Sequence, residues 1–154
     1  GQSLGDEALL GYLLGELDKR LIPASKLCFE ITETAAINDY ATALRFISIL
    51  KDRGCRFALD DFGSGLSSFG YLKTLPVDFL KIDGVFVKDI VSNPLDLALV
   101  RSINDIGHVL GKQTIAEFVE TESILAELRG VGVDYAQGYG IGRPAPIGPF
   151  GKRP

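Results

Sequence analysis

The sequence predicts an α/β chain of parallel strands, drawn best as an incomplete (β/α)8 barrel with about five strands. Three observations carry that prediction. Helix-period and strand-like segments alternate, which demands parallel pairing through right-handed crossovers. Five short apolar segments, residues 27–32, 56–61, 79–83, 114–117 and 135–139, each place charged or amide side chains at the same end. The chain has 154 residues, whereas an eight-stranded barrel typically takes about 250. An open doubly wound sheet also alternates its elements, but there only the strands beside the switch point converge on a crevice. Polar endings on five successive strands fit a barrel, whose strand C-termini all meet on one face.

The elements follow in order. Residues 6–20 carry Leu10, Leu13, Leu14 and Leu17 at helical spacing, with Asp6 as cap. Strand 27–32 follows Pro23. A helix begins at Asn38, runs through Leu44, Ile47 and Leu50 and stops at Gly54. Strand 56–61 enters a loop with Gly63, Gly65 and Gly70. Strand 79–83 follows Pro76. Asn93-Pro94 is a helix start, cap then proline at the first helical position, and that helix reaches Gly111. Strand 114–117 precedes a helix capped by Thr121 and ended by Gly130. Strand 135–139 leads into an irregular Gly/Pro-rich tail.

A composition of 46% hydrophobic and 23% charged residues is globular and excludes a disordered chain. Net charge is −4 with the signs interspersed, which argues against a nucleic-acid surface. No apolar run approaches the roughly 18 residues of a membrane span, and no signal peptide is visible. Cys28 and Cys55 stand outside any CxxC or Cys/His cluster and are expected as small core residues of a reducing cytoplasm. His108, the only histidine, falls mid-helix and is expected to pack or face solvent. The chain starts at Gly1 and has no methionine, so it is expected to be a processed or internal piece of a longer protein.

The strand endings carry the chemistry. Carboxylates inside buried strands cost free energy unless a cation or hydrogen bonds satisfy them. Asp60 and Asp61 are adjacent where a strand is expected to end, so both can turn to the barrel mouth. They repel unless cations lie between them. One carboxylate bridging two divalent ions would answer that repulsion and would suit phosphodiester hydrolysis; a turn in which the acids cap backbone N–H groups would answer it too. Without histidine or thiolate nearby, the ion would be hard and oxygen-seeking, Mg²⁺ or Mn²⁺. Lys81, between apolar neighbours, either orients water and neutralises developing charge or forms a buried ion pair with Glu117 or Asp83.

Five motifs then occur together: Phe29-Glu30-Ile31-Thr32-Glu33, Asp60-Asp61-Phe62-Gly63-Ser64-Gly65, Leu80-Lys81-Ile82-Asp83, Ala116-Glu117-Phe118-Val119-Glu120 and Gln137-Gly138-Tyr139. Their order and spacing resemble the EAL-domain family of bacterial cyclic di-GMP phosphodiesterases. The resemblance implies a TIM-like barrel of the EAL type, two Mg²⁺ or Mn²⁺ ions at its mouth and hydrolysis of cyclic di-GMP to linear pGpG. It implies Glu30 and Asp60 as ligands of one ion, and Asp60, Asp61 and Glu117 as ligands of the other. Lys81 resembles the lysine that contacts the attacking water, so Lys81 and Glu117 are the catalytic candidates. Glu33 resembles the glutamate that holds the loop from Phe62 through Gly63, Ser64 and Gly65 to Tyr71. Glu120 is expected to support the site, and Gln137 matches a glutamine within it.

The pattern departs from the family in two ways. The naming Glu-Ala-Leu motif, an asparagine ligand and a phosphate-holding arginine are expected upstream of Gly1. Residues 1–147 are thus expected to be a partial domain lacking its first three strands, and 148–154 a tail. Phe118 stands where many members carry glycine. A second reading stays open, a catalytically inactive domain that senses cyclic di-GMP or serves as an interaction module. The resemblance also raises a homodimer through this domain, sensory or diguanylate-cyclase domains elsewhere in the parent chain, and a cytoplasmic location with no membrane contact by this segment.

Overall fold

The computed structural model describes residues 2–19, 22–63 and 70–146. Strands β1 (Cys28–Thr32), β2 (Arg56–Phe62), β3 (Phe79–Ile82), β4 (Gln113–Ala116) and β5 (Tyr135–Ala136) form a parallel sheet in the order β1-β2-β3-β4-β5. Spatial order follows chain order without reversal. A doubly wound sheet reverses at its switch point, so this is the sheet of an incomplete barrel.

The helices are α1 (Glu7–Asp18), α2 (Glu33–Asn38), α3 (Tyr40–Asp52), α4 (Gly84–Val87), α5 (Pro94–Val109) and α6 (Glu122–Val131). Short polar side chains start most of them. Asp6 accepts from the N–H groups of Ala8 and Leu9, Asn93 from Leu95 and Thr121 from Ile124, each cap contributing about 1 kcal/mol. Four helices depart from the sequence reading. Helix α3 starts at Tyr40 rather than Asn38, because Asp39 caps it through the N–H of Thr42, and the short α4, which the sequence reading lacks, follows Asp83. Helix α2 begins at Glu33, directly after β1, because Thr32 caps it through the N–H of Ala35. Helix α6 runs through Gly130 and ends at Gly132, whose φ of 89° supplies the left-handed cap.

The sheet has two unlike faces, as strand alternation requires. Phe57, Leu59, Leu80 and Ile82 are buried beneath the helices. Ala43, Phe46, Ile47 and Leu50 are the buried residues of α3, and the Phe46 ring meets Phe57 edge-on at 6.3 Å. Helix α5 lies close on β3 and β4 because Gly107 has no side chain: a Cβ there would stand 2.9 Å from Thr114 Cγ2.

The opposite face is an open trough lined by Cys28, Glu30, Arg56, Phe79, Ile115 and Tyr135. Arg56 places its guanidinium 5.5 Å from the Phe79 ring centroid, and Phe79 meets Tyr135 at 6.0 Å. Cys55 is buried as expected, but Cys28 is exposed. The reason is alternation: Phe29 and Ile31 point under the helices, leaving Cys28 and Glu30 on the trough side.

Charges at the N-terminal strand ends are tied into structure. Buried Lys112 donates to the carbonyls of Leu75 and Val77. Asp78 accepts from the N–H of Phe57 and pairs with Lys51. Asp134 Oδ2 accepts from the N–H of Thr114 at 2.7 Å and lies 2.9 Å from His108 Nε2. Among the described residues no helix is long and apolar enough to cross a membrane.

Candidate metal and catalytic centre

The C-terminal ends of β1 to β4 deliver four carboxylates and one ammonium to a single place. Lys81, 3% exposed, sits with its Nζ 2.9 Å from Glu30 Oε2, 2.7 Å from Asp60 Oδ1 and 2.7 Å from Glu117 Oε1. Inward alternation explains the meeting. Glu30 is the third residue of β1, Lys81 the third of β3, and Glu117 follows Ala116 at the end of β4.

Asp60 and Asp61 reach the mouth by a different route from the strand ending that the sequence reading assumed. Strand β2 continues to Phe62, and the ladder with β3 shifts register between Leu59 and Phe62. Asp61 sits at φ 56° within that irregularity. A bulge of this kind re-aims side chains, so neighbouring carboxylates share one side of the strand end. Carboxylate oxygens of Asp60, Asp61 and Glu117 all lie within 4.8 Å of one another. Glu30 stands outside that trio and joins it through Lys81.

The electrostatics are those of excess negative charge. Burial opposes the Lys81 charge, but the close carboxylates of Asp60, Glu117 and Glu30 outweigh it and raise its pKa. Lys81 is therefore an ammonium throughout the neutral range. Burial pushes the Glu117 carboxyl up, and the charges of Asp60 and Asp61 add to the rise against Lys81. The Asp61 carboxyl is also pushed up, by burial, then Asp60 and Asp83. One ammonium cannot neutralise four carboxylates. Asp60 Oδ1 is buried and meets the Lys81 ammonium at 2.7 Å, with no further hydrogen-bond donor to it among the described residues. A buried carboxylate oxygen that shares one ammonium with two other carboxylates fits a hard divalent cation.

Glu33, 4% exposed at the start of α2, accepts from the N–H of Gly63 at 3.2 Å and from the Tyr71 hydroxyl. It thereby ties together both ends of the loop after the Asp pair. Burial, then the hydrogen bond to Glu33, raises the Tyr71 phenol. Phe62 is buried in the core, and Gly63 is held at φ 98°. Ser64 and Gly65 lie outside the described residues. Exposed Glu120 and Gln137 line a cleft with Glu117, Phe118, Gly138 and Tyr139. The backbone closes that cleft: Val119 donates to the Gln137 carbonyl and Gln137 to that of Ala116. Gly138 is required there, since a Cβ would stand 2.3 Å from Val119 N.

Sequence reasoning did not single out Tyr71 and Phe118 as site residues. Tyr71, one residue past Gly70 at the loop exit, carried a weak signal. Phe118 was visible as a departure from glycine, and its φ of 52° explains why glycine suits that position.

The EAL domain family model matches residues 1–144. The chain is 47% identical over 150 residues to the cyclic di-GMP phosphodiesterase PdeB of Shewanella oneidensis, covering 97% of this chain and 18% of that protein. It is 42% identical over 136 residues to the cyclic di-GMP phosphodiesterase PdeA of Borreliella burgdorferi, covering 88% of this chain and 20% of that protein. Among solved structures, the PaMucR phosphodiesterase in complex with c-di-GMP superposes with a TM-score of 0.87 at 34% identity, covering 94% of this chain and 58% of that one. The chain thus spans about a fifth of the length of these curated relatives.

Proposed function

The chain belongs to the EAL-domain family, and from that premise we propose that it supplies the metal-binding and catalytic strands of a phosphodiesterase that opens cyclic di-GMP to linear pGpG. One observation carries the reading: Lys81 pairs with Glu30, Asp60 and Glu117 at strand ends while Asp60, Asp61 and Glu117 share one reach.

Asp60, Asp61 and Glu117 would hold one divalent ion and Glu30 with Asp60 a second, Mg²⁺ or Mn²⁺ by the all-oxygen donor set. Bound there, such ions supply Lewis acidity and a more acidic water. In the hydrolysis, water oxygen attacks phosphorus, the bond from phosphorus to the 3′ oxygen breaks, and that oxygen leaves with a proton. Lys81 cannot take the water's proton because its ammonium nitrogen has no free lone pair. Its work is to orient the water and to meet the negative charge that develops on the phosphoryl oxygens. Glu33 holds the loop after Asp61 at both ends, so the carboxylate pair keeps its aim. Glu120 and Gln137 offer an acceptor and an amide along the cleft beside Glu117.

The test is to incubate the full-length protein that carries this chain with cyclic di-GMP and Mn²⁺ and to follow pGpG by chromatography. Turnover that Asp61→Asn abolishes and Lys81→Met lowers on the order of 10²-fold or more supports the reading. Binding without turnover would assign the sensing role instead. The same reading places the protein in the bacterial cytoplasm, where this second messenger circulates, with a homodimer and sensory or cyclase domains in the parent chain as its expected context.

A further inference from the structure

Phe118 combines three features that packing alone does not explain. Its φ is 52°, a conformation that a bulky side chain adopts rarely and at a cost. Its ring is not core, for the residue is 61% exposed. The ring nevertheless lies against the backbone: a Cβ on Gly84 would stand 2.1 Å from Phe118 Cδ2 and 2.5 Å from Cγ, so the ring edge rests where Gly84 lacks a side chain. Gly84 opens α4 directly after Asp83, whose carboxylate accepts from the N–H of Val85. The ring therefore bridges the exits of β3 and β4 on the rim of the carboxylate centre. It also lines the cleft with Glu117, Glu120, Gln137 and Tyr139. Tyr139 already carries the Arg143 guanidinium 5.0 Å from its ring. An exposed aromatic surface held beside an acceptor and an amide matches a planar base with polar edges.

We propose that Phe118 is an affinity-determining residue of this chain, a platform on which one purine of a cyclic dinucleotide stacks while its phosphate lies at the carboxylate centre. The inference rests on the proposed phosphodiesterase reading and adds to it a residue outside the metal and lysine machinery. Strain at Phe118 is then maintained because it aims the ring.

The experiment uses the full-length protein carrying this chain, with cyclic di-GMP as substrate and Mn²⁺ present. Base stacking of ordinary strength predicts that Phe118→Gly and Phe118→Leu each raise KM by about 5- to 100-fold, with kcat within about threefold of wild type. Phe118→Trp keeps KM within about threefold, and Gly84→Ala raises it by displacing the ring. Phe118→Gly also relieves the positive φ, so its melting temperature does not fall, which separates lost stacking from misfolding. A KM for Phe118→Leu or Phe118→Gly within twofold of wild type overturns the proposal while leaving the phosphodiesterase reading intact. So does a Phe118→Trp enzyme as impaired as the leucine variant. A wild-type protein that neither binds nor cleaves cyclic di-GMP overturns both.

Discussion

Replacing Lys81 by methionine keeps the volume of a 3% exposed side chain and deletes its charge. Three carboxylates then lose their counter-ion at once. Glu30 is half exposed in the pair, and solvent will screen most of its loss. The Asp60 and Glu117 side chains are 22% and 13% exposed, and they will feel it. Removing one partner from a buried ion pair costs about 3–5 kcal/mol, and that is the expected destabilisation in EDTA. A divalent cation can neutralise the same carboxylates, so Mn²⁺ should restore much of the lost stability. It should not restore turnover, because the water and the phosphoryl oxygens still lack the ammonium; kcat should fall on the order of 10²- to 10³-fold. The linkage has a definite sign. The folded pKa of Lys81 lies above its ordinary 10.5, so its stabilisation is fully present below that value and is lost only as pH rises through the higher folded value. The assay is paired: thermal melts of the full-length protein and its Lys81→Met variant with EDTA or Mn²⁺, and pGpG formation with Mn²⁺. An unchanged melting temperature in EDTA would refute the electrostatic argument, and an unchanged kcat would remove Lys81 from the chemistry.

Three further outcomes follow from named contacts. Tyr71→Phe removes the hydroxyl from buried Glu33 and should cost about 1–3 kcal/mol in urea melts, with a fall in kcat as the loop loosens; full activity would separate the loop tie from the site. Asp61→Asn relieves repulsion with Asp60 and Asp83, so metal-free melting should hold or rise while turnover is lost, and a clear drop in EDTA would contradict the charge-excess reading. Asp134→Ala should cost about 1–3 kcal/mol, because its Oδ2 accepts from the Thr114 N–H and meets His108. Burial alone would raise the Asp134 carboxyl, but Thr114 and His108 outweigh it and hold it below 3.8. Its stabilisation is thus present above pH 3.8 and lost as pH falls through the lower folded value, and acid melts of wild type and variant should converge there.

Chain-local physics made much of this protein legible from its sequence. Helical spacing and caps at Asp6, Asn93 and Thr121 placed α1, α5 and α6, because those signals act within a few residues. Apolar runs with polar ends located the strands and brought Glu30, Asp60, Lys81 and Glu117 forward as one group, since a buried parallel strand tolerates a charge only where something else meets it. The tertiary structure decided what depends on partners distant in sequence. The direct start of α2 at Glu33 follows from where β1 delivers Thr32. The exposure of Cys28 follows from which face of β1 the helices cover. Asp60 and Asp61 converge through a register shift against β3, which period-2 alternation along β2 cannot anticipate. The Glu33 grip on Tyr71 spans 38 residues, and the Phe118 ring rests on Gly84 across two strand exits. Propensity and periodicity are properties of a segment, whereas register, burial of a given face and side-chain convergence arise only when segments pack.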